Sequence, residues 1–156
     1  MKGNAQLIEM VNQRLAEELT AISQYMVHSE ICANWGFQGL HEHITKQAMD
    51  EMHHAEMLIE RIIFLEGAPI VSKLNPIRTG ANIKEIILRD YEGELDAVRA
   101  YNETMKLAVE VGDNGTRELL AKILHDEEGH VNWEEEQRDQ IAQMGLENYL
   151  TTQVAG

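Results

Sequence analysis

The chain has 156 residues, 44% of them hydrophobic, which is enough for one well-filled core and too few for two. Its formal charge of −14 excludes the positive surface through which nucleic acids and anionic membranes are held, and it suits a protein that attracts cations. The lone cysteine, Cys32, excludes an internal disulfide and any paired-cysteine zinc or redox motif; it points to a reducing compartment and reads as a small buried hydrophobe.

Prolines are confined to Pro69 and Pro76, aromatic and β-branched residues are sparse, and apolar positions recur at steps of three and four, so the chain reads as all-α. A first helix is expected over about 4–34, with a stripe of Val11, Leu15, Ile22, Tyr25 and Ser29 that also takes in Glu18. Lys2, Glu9, Arg14, Glu17 and Glu18 interrupt its apolar positions, so no signal peptide is expected there. After the breaker Trp35-Gly36-Phe37-Gln38-Gly39, a second helix over about 38–66 puts Glu51 and His54 among Ile44, Ala48, Leu58, Ile62 and Leu65. Gly67 to Asn82 then supplies 16 residues without periodicity, which reach roughly 50 Å when extended. A third helix over about 82–111 carries Glu94 with Ile87, Tyr91, Val98, Tyr101 and Met105. Beyond Gly112-Asp113-Asn114-Gly115, a fourth over about 115–144 carries Glu127 and His130 with Leu120, Ile123, Val131 and Ile141. A short fifth helix follows Gly145, over about 146–153.

The two short connections make their flanking helices antiparallel neighbours, whereas a helix of about 28 residues is only about 42 Å long. The 16-residue connection can therefore run the length of the bundle and leave the second and third helices parallel. The expected architecture is a four-helix bundle with one long crossover and a short C-terminal helix, in a single domain over 1–156. With no apolar run of about 18 residues, it is expected to be cytoplasmic, without a membrane or nucleic-acid partner.

Among the 21 glutamates, only Glu51 and Glu127 have a histidine three residues on, His54 and His130. Three residues is about 300° of helix, so each pair projects from one face. Thirty-three residues before Glu51 stands Glu18, and thirty-three before Glu127 stands Glu94, so the two halves share one pattern. A single glutamate is ordinarily a solvated residue, but independent surface residues have no reason to share core stripes. Buried unpaired carboxylates cost several kcal/mol each, and no matching set of Lys or Arg lies on these stripes. A pair of divalent cations would neutralise them, and iron, manganese and zinc all suit two imidazoles with four carboxylates.

At these residues the sequence resembles the bacterioferritins, within the ferritin-like di-iron carboxylate proteins. The resemblance extends to the opening MKGN, NWGFQGL, IERIIFLEG, DEEGH followed by NW, and the ending MGLENYL. It implies that Glu18 and His54 are terminal ligands of one iron, Glu94 and His130 those of the other, with Glu51 and Glu127 bridging. It implies a ferroxidase that oxidises Fe(II) with dioxygen or peroxide and stores Fe(III) mineral inside a hollow homo-oligomeric shell of twenty-four subunits. Haem of the b type and a ferredoxin-type reductant for iron release belong to the same expectation.

Met52 is turned about 100° from the metal stripe and shares a second apolar face with Met49, Ile59 and Ile63, expected to meet another subunit. By composition it is an interface packing residue; the resemblance makes it the haem ligand, paired with its symmetry mate across a two-fold dimer. Tyr25 is a candidate hydrogen-bond donor or electron source for the site, and equally a plain buried tyrosine. Asp50 is expected to be solvated rather than to pass iron inward. Lys46 stands where many bacterioferritins have histidine, so an inner-surface iron site there is not expected. His28, His41, His43, His53 and His125 are expected to be surface or structural, and Trp35 and Trp133 to pack at helix ends. The tail around Tyr149 is expected either to line a shell axis or to dock on the bundle. The alternatives are a rubrerythrin-like di-iron peroxidase or oxidase, from which the CxxC pair is missing, and a non-catalytic metal- and haem-binding bundle.

Overall fold

The computed structural model describes residues 1–155, and its order is α1 (Ala5–Asn34), α2 (Gln38–Phe64), α3 (Ile83–Glu110), α4 (Asn114–Met144) and α5 (Leu146–Gln153). Three helices begin where the sequence supplies a side-chain acceptor: Asn4 for Leu7 N–H at 3.0 Å, Asn82 for Glu85 N–H at 2.9 Å and Asp113 for Thr116 N–H at 2.9 Å. Each satisfies a backbone donor that the first turn leaves unpaired. Helix α2 stops two residues before the expected end, because Leu65 is its C-cap and Glu66 adopts a left-handed φ of 63°. Gly112 reverses the chain between α3 and α4 at φ 74°, a conformation that costs glycine little.

α1 packs on α2 and α3 on α4 as antiparallel hairpins, and the crossover between them lies along α1. It is pegged there by four α1 side chains spaced at multiples of four, one helical face. Asn12 Oδ1 accepts from Ile70 N–H at 2.9 Å, Thr20 Oγ1 from Asn75 N–H at 2.9 Å, Gln24 Oε1 from Arg78 N–H at 3.0 Å, and His28 Nε2 from Gly80 N–H at 3.0 Å. From Asn12 to His28 is about 24 Å of helix, so this irregular segment covers most of the bundle's length with its backbone donors satisfied. At its end Gly80 meets α3 so closely that an added Cβ would lie 2.4 Å from Ile86 N.

The buried hydrophobes form two clusters. One holds Leu7, Val11, Leu15, Leu58, Ile62, Leu120 and Ile123; the other, toward α5, holds Cys32, Leu40, Ile44, Ile86, Ile87 and Tyr149. Each fully buried Leu or Ile contributes about 1.5–3 kcal/mol relative to exposure. Between the clusters the stripes carry Glu18, Glu51, His54, Glu94, Glu127 and His130, all buried. Helix α5 docks on the bundle: Tyr149 is fully buried and its hydroxyl donates to Gln137 Oε1 at 2.7 Å.

Two expectations need correction. Trp133 is not at a helix end; it sits within α4 with its ring stacked on His43 at 3.8 Å between centroids. Tyr91 lies at the outer margin of its stripe, where its hydroxyl donates to Glu135 at 2.9 Å. No helix among the described residues is long and apolar enough to cross a membrane.

Candidate metal centre

The six residues from the two halves meet at the centre of the bundle in two overlapping groups, Glu18, Glu51, His54 and Glu127, and Glu51, Glu94, Glu127 and His130. In each group, one atom per residue lies within 4.8 Å of the others. Glu51 and Glu127 belong to both. Glu127 turns one oxygen toward each histidine, Oε1 2.9 Å from His54 Nδ1 and Oε2 3.7 Å from His130 Nδ1. Glu51 Oε1 lies 3.0 Å from His130 Nδ1 and 3.8 Å from His54 Nδ1. Glu18 Oε2 stands 3.6 Å from His54 Nδ1, and Glu94 Oε1 3.2 Å from His130 Nδ1. The imidazole centroids are 6.5 Å apart.

Each imidazole turns its other nitrogen outward to an aspartate on the opposite hairpin. His54 Nε2–H donates to Asp126 at 2.8 Å, and His130 Nε2–H donates to Asp50 at 3.0 Å. An aspartate holding Nε2–H fixes the tautomer that offers the Nδ1 lone pair inward. The tyrosines follow the same crossing. Tyr101 OH donates to Glu18 Oε1 at 2.6 Å, and Tyr25 OH donates to Glu94 Oε1.

Sequence reasoning missed Asp126 and the donor role of Tyr101, and it read Asp50 as merely solvated; Asp50 is part-exposed, yet it anchors His130. The signal was present. Glu18/Glu94, Tyr25/Tyr101, Asp50/Asp126, Glu51/Glu127 and His54/His130 are all separated by 76 residues. A repeat that includes the neighbours of the candidate ligands marks those neighbours as part of the site.

The donor set fits a pair of metal ions on its own geometry. Glu18 Oε2, Glu51 Oε1, Glu94 Oε2, both oxygens of Glu127 and His54 Nδ1 are buried without an aligned hydrogen-bond partner, and they face one another. Without a cation, protons must do that work. Burial, then the Glu18 and Glu94 charges, push Glu51 up to about 8. Burial and Glu127 raise Glu18, and the same two causes hold Glu94 well above the usual carboxylate range. For His54 and His130 burial alone would favour the neutral ring, but the facing carboxylates outweigh it and raise both far above the usual imidazole value.

A cavity of about 260 Å³ opens beside the centre between α1 and α3, partly covered by Asn75, Pro76 and Arg78 of the crossover. It reaches Glu18, Glu51, Glu94 and Glu127, so small ions have a way in from outside the bundle. Gly93 lines it, and a Cβ added there would meet nothing within 4 Å. Met52 lies elsewhere, 39% exposed on the outer side of α2 with Met49 and Ile63 also exposed. Lys46 is exposed and His43 half-buried, with His43 pushed down to about 4 by burial and then by the His130 and Lys46 charges. His28 is structural: Nδ1–H donates to Asp90 at 2.8 Å while Nε2 accepts from Gly80 N–H.

This bundle with its crossed carboxylate–histidine centre is of the ferritin type, and a model of the ferritin-like domain matches residues 8–144. The chain is 40% identical to a bacterioferritin of Brucella melitensis over 96% of its length and 92% of that protein's. It is 38% identical to a bacterioferritin of Rhodobacter capsulatus, with 99% and 96% covered, and 38% identical to a bacterial ferritin of Synechocystis, with 99% and 100% covered. The chain belongs to the bacterioferritin family of ferritin-like proteins.

Proposed function

We propose that the protein is an iron-storage ferroxidase that takes up Fe(II), oxidises it at the crossed centre and stores the Fe(III) as mineral inside a shell of its own subunits. The observation that carries the reading is the set of orphaned, buried donor atoms facing one another across four helices. Glu18 and His54 would hold one iron, Glu94 and His130 the other, and Glu51 and Glu127 would lie between them. Two Fe(II) held side by side supply two electrons at once, so that dioxygen with two protons becomes hydrogen peroxide, or peroxide with two protons becomes water.

The rest is the work of the chain's own groups. Asp126 and Asp50 keep the imidazoles oriented through Nε2–H. Tyr101 and Tyr25 hold one oxygen each of Glu18 and Glu94, leaving the other oxygen to face the centre. The protons that occupy the metal-free site leave as cations enter, and the same carboxylates lie within reach to receive and return them. The chain's −14 charge favours cation entry and mineral nucleation.

The exposed Met52 face supports a two-fold dimer in which the methionine and its symmetry mate hold a b-type haem, passing electrons from a ferredoxin-type donor that release stored iron. A cytoplasmic, homo-oligomeric, single-domain protein accords with this reading.

Aerobic Fe(II) addition tests it. Rapid oxygen consumption with iron retained in a large particle is expected, and Glu94→Ala should abolish the fast phase while leaving helix content and particle size unchanged. Oxidation without retention would favour a di-iron peroxidase or oxidase, and no oxidation at all would leave a static metal-binding bundle. For the haem, Met52→His should shift the Soret band strongly; an unchanged spectrum in Met52→Leu would remove Met52 as its ligand.

A further inference from the structure

One turn from the paired clusters toward α5, every helix of the bundle carries a buried polar side chain: Tyr25 on α1, Gln47 on α2, Asp90 on α3 and Glu134 on α4. In the opposite direction the core is apolar, with Leu15, Leu58 and Ile123. The 76-residue offset that relates the halves pairs Glu134 with Leu58 and Gln47 with Ile123, so the bundle accepts hydrophobes at equivalent places and does not itself require the polar pair.

Tyr25 donates to Glu94, and Asp90 accepts from His28 Nδ1–H and from Gln24 Nε2–H at 2.9 Å. The other two are not satisfied. Glu134 is 0% exposed and Gln47 1%, and neither carboxyl oxygen of the one nor either amide atom of the other has a hydrogen-bond partner. Burial holds the Glu134 carboxyl well above the usual range, and the carboxylates of Asp90 and Glu94 push it further the same way, so acids are its electrostatic neighbours. Polar side chains this deep are ordinarily paired, and an unpaired carboxylate among acids is among the costliest arrangements a core can hold.

We infer that Glu134, with Gln47 and Asp90 beside it, forms a third cation position next to the paired centre, taking a divalent ion that prefers oxygen donors. Carboxylate and amide oxygens suit Mn²⁺, Fe²⁺ or Mg²⁺ rather than a thiophilic metal. An ion there neutralises Glu134, uses the free Gln47 oxygen and lies between the metal pair and the α5 end, a holding position for ions passing to or from the pair. That role rests on the proposed function, whereas the existence of the position does not.

The probe is Mn²⁺ on the full-length protein. Crystals soaked in MnCl₂ should show anomalous density beside Glu134 in addition to any at the pair, and counting free Mn²⁺ by its EPR signal should find one ion fewer per subunit in Glu134→Gln. Glu134→Leu, which places at 134 the residue type found at 58, should lose the same ion and melt higher than the parent without metal. Water alone beside Glu134 in the anomalous maps, or an unchanged Mn²⁺ count in Glu134→Gln, overturns the inference. Loss of density at the pair with density kept beside Glu134 would instead count against the proposed function alone.

Discussion

His54 and His130 each face carboxylates through Nδ1 and an aspartate through Nε2, so each imidazole is oriented from both sides. Asp126→Ala frees the ring of His54 only. It should weaken metal binding at the Glu18/His54 position by roughly 10–100-fold while sparing the other, as two-site calorimetry with Zn²⁺ would resolve; equal loss at both positions would refute this crossed pairing. The raised Glu51, at about 8, and the two raised histidines mean that the metal-free centre holds protons at neutral pH. Metal loading should therefore release protons, and apparent affinity should fall as pH drops below about 8, which pH-stat titration measures directly. The ligand candidates were legible in the sequence because E-x-x-H fixes two side chains on one helix face and all six lie on apolar stripes. Asp126 was not, because it lies off the stripe and finds its partner across the bundle. Nor was Trp133, whose contact with His43 joins different helices.

Among the elements, α4 is held at its start by more than local propensity. Asp113 caps it through Thr116 N–H and Oγ1, and Arg61 of α2 donates to Asp113 at 3.0 Å and to Thr116 at 2.9 Å. Burial alone would raise Asp113, but the Thr116 and Arg61 bonds outweigh it and its carboxyl lies below the ordinary 3.8. A depressed acid contributes stability above its unfolded value and loses it as pH falls through the folded one. Asp113→Ala should then cost about 1 kcal/mol at pH 7, as caps ordinarily do. The gap from the parent should close in acid below about 3.8, when followed by urea unfolding across pH. A penalty unchanged at low pH would mean that charge has no part in the cap. The helix limits were readable to within about two residues because breakers and caps are local. The path of the crossover was not, since it depends on Asn12, Thr20, Gln24 and His28, which read as ordinary polar positions of α1 until the loop is laid across them.

At the scale of the whole molecule, the paired centre joins the two hairpins through residues that the metal-free fold leaves at a cost. Any cation that binds there and not to the unfolded chain should stabilise it by mass action, about 2.7 kcal/mol at a hundredfold excess over Kd. Calorimetry with and without Zn²⁺ should show a higher Tm with metal in the parent and little change in Glu94→Ala. A parent whose Tm ignores metal would mean that the orphaned atoms are not binding it.

The crossing of the ligands between hairpins also sets an order in time. Each four-residue group contains Glu127, which lies on α4, so neither exists until the last long helix has been made. A chain leaving the ribosome as far as Glu110 carries Glu18, Glu51, His54 and Glu94 but no closed group, while its first hairpin is free to fold from local contacts. Iron capture is thereby postponed to the completed fold, and the half-made protein is kept from redox chemistry that it has no compartment to contain.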